Sequence, residues 1–525
     1  MSSQHTNSDP STRSSTYDYR SDSVERPELA ATLSSLVDGE VRLDDYTRTL
    51  YATDASAYEV QPVGVVYPTS TDDVAAVVAY CDRNDIAVLP RGGGTSLAGQ
   101  SVNDAVVLDC SKHMDALLDV DSDRRCVTAQ PGITLGKLNE TLESEGLKFA
   151  PDPAWGDKSV LGGAIGNNST GAHSLVYGKT DAYVESVEAV LADGTVTRFG
   201  DVTIGELRDS ADADSEALLP RIYAGVLAVL DDHAEEVDSR YPELKRNVSG
   251  YNFDRLLEEA RDDGEITDDA TVNLARLLAG SEGTLAIVTE ATVSLESIPN
   301  TKAVALLTYG DLLDALADVE PILEHDPAAV EVMDDVLLGL ARDTAEFADV
   351  VGMLPEGTDS VLLVEFYADD DAEGRRLVAD LLADRVPAAD SEADPTDERV
   401  RTNADHRAAA AMEAHDADTR AKFWKMRKSG LPILLGRTTD EKHIAYIEDT
   451  AVPARNLPEY VADVQEILDD YDTYASYYAH AGPGVLHIRP LVNTKSVEGL
   501  EAFEAIAERV TDLVVKYGGS VSGEH

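Results

Sequence analysis

Two periodicities alternate along the chain from residue 70 onward. Ser70-Thr71-Asp72-Asp73 opens a helix with a side-chain cap, and Val74, Val77, Val78 and Cys81 then fall on one helical face. The short apolar run Ile86-Ala87-Val88-Leu89 reads as a buried strand, as do residues 105–109 and 125–129. A helix is predicted over 134–145. Residues 184–192, the turn Asp193-Gly194 and residues 195–199 make a hairpin. Past Ile298-Pro299, strand-like runs at 303–308 and 360–367 alternate with helices. Mixed strand, hairpin and helix signals give an α+β fold in two parts, 26–299 and 300–525. Residues 201–215, 258–270 and 388–401 are acidic and poor in apolar side chains, and read as solvated loops, the last as a linker.

Composition narrows the function classes. With 525 residues, the chain is long enough for two or three domains with well-buried cores. Asp and Glu total 99 against 43 Lys and Arg, a formal net charge of −56 spread along the whole chain. That is the surface of a protein kept in solution at high salt, a halophile signature. A nucleic-acid partner is not expected, because phosphate binding needs clustered cations. Cys81, Cys110 and Cys126 form no CxxC, so neither a disulfide framework nor a Cys-ligated cluster is expected. Residues 1–25 are rich in Ser, Thr and Asp without an apolar core, and read as a disordered tail and not a signal peptide. No apolar run is long enough to span a membrane. Cytoplasmic is the default location, with contact at a membrane only through an electron acceptor.

Candidate chemistry begins where the strand at 86–89 runs into Pro90-Arg91-Gly92-Gly93-Gly94-Thr95-Ser96. Three consecutive glycines let backbone amides turn outward into a nest for a pyrophosphate, with Thr95 and Ser96 adding hydroxyls. The spacing is neither GxGxxG nor GxxxxGK[ST], and alone it amounts to a tight turn. Two further segments change that. Pro151-Asp152-Pro153 leads into Gly162-Gly163-Ala164-Ile165-Gly166-Asn167-Asn168-Ser169-Thr170-Gly171, and Gly280-Ser281-Glu282-Gly283-Thr284-Leu285-Ala286-Ile287 follows later. Small residues at this density let a flat, extended ligand lie against the backbone.

In order and spacing these three segments resemble the vanillyl-alcohol-oxidase (PCMH) type of FAD-binding domain. More closely they resemble the FAD-linked D-2-hydroxyacid dehydrogenases, which oxidise D-lactate, glycolate or D-2-hydroxyglutarate. The resemblance implies an FAD-binding domain followed by an α+β substrate (cap) domain. It implies FAD pyrophosphate against Arg91, Gly92, Gly93, Gly94, Thr95 and Ser96. Pro153, Gly162, Gly163, Gly166, Asn168 and Gly171 would lie near the isoalloxazine, and Ile287 near the adenine. Some relatives attach FAD to a histidine in the first loop. Gly93 and Gly94 stand there, so the FAD is expected to be non-covalent.

The substrate side is read the same way. Phe423-Trp424-Lys425-Met426-Arg427 resembles a family segment whose Arg binds the substrate carboxylate, a task that suits the two-pronged guanidinium. His480 and His487 flank Gly482-Pro483-Gly484, a pattern of two strand ends around a turn that brings both imidazoles together. Two His with a carboxylate suit a divalent ion with an open position. By resemblance, His480, His487 and Glu524 hold a zinc-like ion that acidifies the substrate hydroxyl, His525 takes its proton, and hydride passes to flavin N5. Pro483 and Val485 stand where relatives have Asp and Asn, which puts the identity of the substrate in question before the reaction type.

The leading expectation is oxidation of a D-lactate-like 2-hydroxyacid, with electrons passed to an acceptor other than oxygen. The alternatives are a non-catalytic flavin-binding subunit, or a flavoenzyme of this fold acting on another alcohol or on D-2-hydroxyglutarate. The chain also resembles the flavin unit of long proteins fused to an iron–sulfur electron-transfer domain, so a cluster is expected only if such a domain follows. On that reading the end at His525 is cut short, with a site assembled but loosely held.

Overall fold

The computed structural model describes residues 26–153, 155–344, 347, 351–387 and 408–524. The expected tail at 1–25, the linker at 388–401 and His525 lie outside these residues. Two larger sheets build the first half. Strands Glu40–Arg42, Gly64–Tyr67, Val106–Asp109 and Val88–Arg91 lie side by side in that order, the last three parallel. The second sheet is antiparallel, in the order Leu117–Asp121, Cys126–Ala129, Ile287–Ser294, Val184–Val190 and Val196–Phe199. The helix Thr71–Arg83 forms as the pattern predicts. Ser70 accepts from the amide of Asp73, and Val74, Val77, Val78 and Cys81 pack against Val106, Leu108 and Ile287. The parallel strand Val88–Arg91 delivers the glycine loop at its carboxyl end, where α/β sheets place ligands.

The second half is one eight-stranded antiparallel sheet, with Ala410–Ala414, Thr301–Tyr309, Ser360–Ala368, Ala329–Met333, Ala475–Ala479, Val485–Val492 and Lys442–His443 in sequence across it and Ile447–Ala451 also paired to Val485–Val492. Both faces are covered. Along Thr301–Tyr309, Ala303, Ala305 and Leu307 enter one core while Val304 and Leu306 enter the other. The first core holds the helices Leu457–Asp469 and Val497–Lys516; the second holds Asp335–Arg342 and Ala417–Lys428. The helix Ala417–Lys428 is thereby packed beside Tyr478, with Arg427 in its last turn.

One expectation fails. Residues 201–215 are not a solvated loop: Asp201–Thr203 pairs with Thr271–Asn273, and a Thr203–Glu206 capping box starts the helix Ile204–Ser210, which buries Ile204 and Leu207. Two apolar residues one turn apart were enough to bury one face. Residues 258–270 likewise contain the short hairpin Arg261–Asp262 with Glu265–Ile266.

Charge joins the halves. His173 meets Asp152 at 2.5 Å through Nδ1 and Glu365 at 2.7 Å through Nε2, while Lys302 and the Trp424 indole donate to the same Glu365. Burial pushes the His173 imidazole down, but the two carboxylates outweigh it and raise the group to about 9. No helix among the described residues is long and apolar enough to cross a membrane.

Candidate active site

A cleft runs from the glycine loop to the paired histidines. Its inner end is walled by Gly92–Ser96, by Gly162, Gly163 and Gly166 of the helix Leu161–Asn167, and by Ser281–Gly283. Its outer end is a cavity of about 480 Å³ that shares Arg91, Gly93, Gly94, Thr95 and Ser96 with the inner one and reaches Pro153, Arg427, His480, His487 and Glu524. Most of the expected cofactor residues therefore line one continuous space with Arg427, His480, His487 and Glu524.

The inner end is built from backbone. Gly93 has no room for a side chain, since an added Cβ would sit 2.1 Å from the Lys158 carbonyl oxygen. Gly94 has φ +64, a left-handed conformation that glycine adopts freely. No hydrogen bond among the described residues uses the backbone amides from Gly92 to Ser96. Five consecutive unspent amide donors fit a pyrophosphate, and the glycines among them leave room for a flat ring system; FAD carries both. Arg91 serves the loop's shape: its guanidinium donates to the carbonyls of Tyr51, Thr53 and Ser101.

Three residues expected at the cofactor have other work. Asn168, at φ +52, is fully buried; its side chain caps the amide of Asp181 and donates to Asn252. Gly171 leaves room for the carbonyl of Asp152, 2.2 Å from where a Cβ would lie. Ile287 packs into the core under the first sheet. They shape the cleft from behind its wall.

The outer end is built from buried charge. His480 and His487, at the facing ends of Ala475–Ala479 and Val485–Val492, bring their rings to 5.6 Å between centroids. The residue before His480, Ala479, has φ +141, a strained value for a non-glycine residue and a frequent mark of a functional position. His480 Nδ1 meets Glu331 Oε1 at 2.8 Å. A carboxylate only accepts, so Nδ1 is the donor there, and Nε2 on the other edge of the ring lies 3.1 Å from Glu524 Oε2. That spacing matches two ligand atoms on one zinc-like ion at roughly 2.0–2.2 Å each. Asp449, at φ +54, presents Oδ1 3.0 Å from His487 Nδ1, and ligand atoms of Asp449, His480 and His487 lie within 4.8 Å of one another. The donor set fits a divalent cation.

Arg427 is buried and donates from Nε to Glu331 Oε2 at 2.6 Å. Burial raises the Glu331 carboxyl, but His480 and Arg427 outweigh it and hold it below its ordinary value. The segment ending at Glu524 is firmly held. Arg246 of the first half donates to Glu524 Oε2 at 2.5 Å and to the Gly523 carbonyl, Gly523 donates to the Asp449 carbonyl, and Val248 donates to that of Ser522. Burial raises Glu524, yet Arg246 and His480 bring it down to about 2. The expected loose end does not hold as far as Glu524. Sequence reasoning missed Asp449, Glu331, Glu448, Arg489 and Arg246. Glu331 and Arg489 share one signal, a charged residue inside a largely apolar strand; Glu448 and Asp449 sit in the mixed strand Ile447–Ala451 and carry no such signal.

An amide-lined cleft leading to a buried pocket of paired charges is the arrangement of a two-part flavoprotein of the FAD-linked oxidoreductase class. Residues 62–200 match the FAD binding domain family, and residues 298–525 match the C-terminal domain of FAD linked oxidases. The chain belongs to the FAD linked oxidases that these two models describe, which together match most of it. It is 30% identical to a D-2-hydroxyglutarate dehydrogenase of Pseudomonas putida, over 95% of this chain and 48% of the relative. It is 28% identical to a D-lactate dehydrogenase of Archaeoglobus fulgidus, over 88% of this chain and 82% of the relative. The chain spans about half the length of the D-2-hydroxyglutarate dehydrogenases it matches. In fold it resembles an alkyldihydroxyacetonephosphate synthase, with TM-score 0.62 and 17% identity over 95% of this chain and 81% of that one.

Proposed function

We propose that this protein oxidises the alcohol carbon of a D-2-hydroxyacid to the 2-oxoacid and hands the electrons to an acceptor other than oxygen. The observation that carries the reading is the meeting of Arg427, His480 and His487 in the cavity that opens onto the glycine cradle. FAD, when bound along Gly92–Ser96, supplies the acceptor for the hydride equivalent lost from the substrate. A divalent zinc-like cation, when bound by His480, His487 and Glu524 with Asp449 alongside, supplies charge that acidifies the substrate hydroxyl.

The chain's own groups do the rest. Glu331 fixes Arg427 by its Nε edge and leaves the remaining donors for the substrate carboxylate. The same Glu331 fixes the tautomer of His480. His525, next in sequence to Glu524, is assigned as the base that removes the hydroxyl proton. An electron-transfer protein or iron–sulfur domain is the proposed recipient of the electrons, in keeping with relatives twice this length.

The test is anaerobic. The purified yellow protein loses its flavin absorption on adding D-lactate or D-2-hydroxyglutarate and keeps it with the L-enantiomers. A chelator stops the bleaching while FAD stays bound. No bleaching with any 2-hydroxyacid refutes the reaction, and bleaching that survives complete metal removal refutes the cation's role.

A further inference from the structure

A separate cavity of about 430 Å³ opens on the second half and shares no residue with the cleft. It lies where the strands Thr301–Tyr309 and Ala329–Met333 end and Ser360–Ala368 begins, beside the last turn of the helix Leu457–Asp469. The strand Ala475–Ala479 starts in its wall and finishes next to His480. Along that strand Tyr477 enters the core on this side, while Tyr478 enters the opposite core and lines the cleft.

Two features set the cavity apart. Its rim carries four exposed carboxylates, Asp311, Asp335, Asp359 and Asp469, and no Lys, Arg or His lines it. None of the four makes an ion pair among the described residues, whereas Asp463 and Asp470, nearby in the chain, hold Lys516 and Arg509. Its buried wall carries two hydroxyls with nothing to bond. Ser360 is 0% and Tyr477 3% exposed, and neither hydroxyl has a hydrogen-bond partner among the described residues. A buried polar group left in that state is costly, and a ligand that bonds it removes the cost. Burial and then the charge of Asp334 push the Tyr477 phenol well above its ordinary value, and Asp469 contributes, so it stays protonated.

The spacing of the carboxylates selects the ligand. Among the described residues, the ligand atoms close enough for one ion are those of Asp449, His480 and His487; no three of the four rim carboxylates come so close. Charges spread around a rim suit separate cationic heads on one molecule. A primary ammonium has three N–H donors, enough to meet a carboxylate and a hydroxyl together. Leu312 and Leu468, also in the wall, offer an apolar surface for a methylene chain between two heads.

We propose that this cavity binds an aliphatic diamine, whose two ammonium groups divide between the rim carboxylates and bond the hydroxyls of Ser360 and Tyr477. The site goes beyond the oxidation reading and does not depend on it.

Calorimetric titration of the full chain with diaminobutane tests it, in about 1 M potassium chloride, where the screening length is about 3 Å. One diaminobutane binds per chain, at least about tenfold more tightly than butylamine, as a second charge-assisted contact requires. Asp359→Asn with Asp469→Asn weakens it at least about tenfold. Asp209→Asn with Asp232→Asn, the same change of charge elsewhere on the surface, leaves it within about twofold. All four positions are exposed and none is a helix N-cap, so both pairs fold. Tyr477→Phe weakens binding about threefold to tenfold and does not lower the thermal midpoint, because the hydroxyl it removes bonds nothing in the protein. Binding that is absent at that salt, or that weakens equally in the two Asp pairs, is attraction to an acidic surface and overturns the site. Magnesium or butylamine binding as tightly as diaminobutane overturns the diamine. A Tyr477→Phe protein that keeps full affinity and melts earlier shows a structural hydroxyl, and overturns it as well.

Discussion

The two ends of the cleft solve opposite problems with opposite materials. The inner end takes a large ligand and offers mostly backbone: unspent amides, missing side chains and a left-handed glycine. The outer end takes a small one and offers almost only side chains, charged and buried. Backbone donors need no partner to stay in place, because the loop's covalent geometry aims them. Buried charges each need a counter-charge, so the outer end is a lattice in which Glu331 serves Arg427 and His480 together. The inner end should therefore fail gradually when altered, and the outer end abruptly.

The sharpest break is Glu331→Ala. It strips Arg427 and His480 of their shared carboxylate and should destabilise the protein by about 3–5 kcal/mol in denaturant unfolding, whereas Glu331→Gln should be much milder. A fully stable Ala variant would mean that the lattice is not cooperative. Next is the domain contact at His173. Its folded value of about 9 lies above the ordinary 6.5. Its contribution is thus fully present below about pH 6.5 and lost as pH rises through about 9, a change of order 3 kcal/mol. The same contacts hold Asp152 and Glu365 at about 2, so acidification removes them again between about pH 4 and pH 2. Thermal unfolding across pH checks this, and His173→Gln should flatten the alkaline limb. Arg427→Lys should raise the KM for a 2-hydroxyacid about ten- to hundredfold through loss of the fork, with flavin content unchanged. The smallest effect belongs to the inner end. Gly93→Ala should cost about 1–3 kcal/mol in local strain, read as a lower FAD content in a protein that still folds.

The same contrast explains what was legible in the sequence. The glycine loop, the helix after Ser70 and the hairpin at 184–199 are written in neighbouring residues, and their periodicity or turn chemistry survives without knowledge of the fold. His480 and His487 are close in sequence and were equally plain. Their supports are not. Glu331 lies 149 residues from His480, and Arg246 lies 278 residues from Glu524, so only the antiparallel pairing of Ala329–Met333 with Ala475–Ala479 brings the first two together. What could have been noticed is the break in pattern: Glu331 in Ala-Val-Glu-Val-Met and Arg489 in Val485–Val492; Glu448 and Asp449, in Ile-Glu-Asp-Thr-Ala, break none. A charge in an apolar run is an unbalanced account until its partner is found. Asn168 and Ile287 show the converse, since a residue inside a glycine-rich segment can spend its side chain on a buried hydrogen bond or on the core and not on the cleft wall.

Arg246 and Glu524 carry a consequence for how the molecule matures. The cradle is complete once the strands between 62 and 200 and the segment around Gly283 have closed on one another. The proposed cation pocket needs residues 520–524 to return across the sheet and dock on Asn247, Ser249 and Arg246. Colour and competence are therefore separate milestones. A molecule clipped just beyond Lys516 would be yellow, folded over most of its length and unable to hold its cation. On the proposed function, a preparation that is fully loaded with flavin by its absorbance is still only partly active.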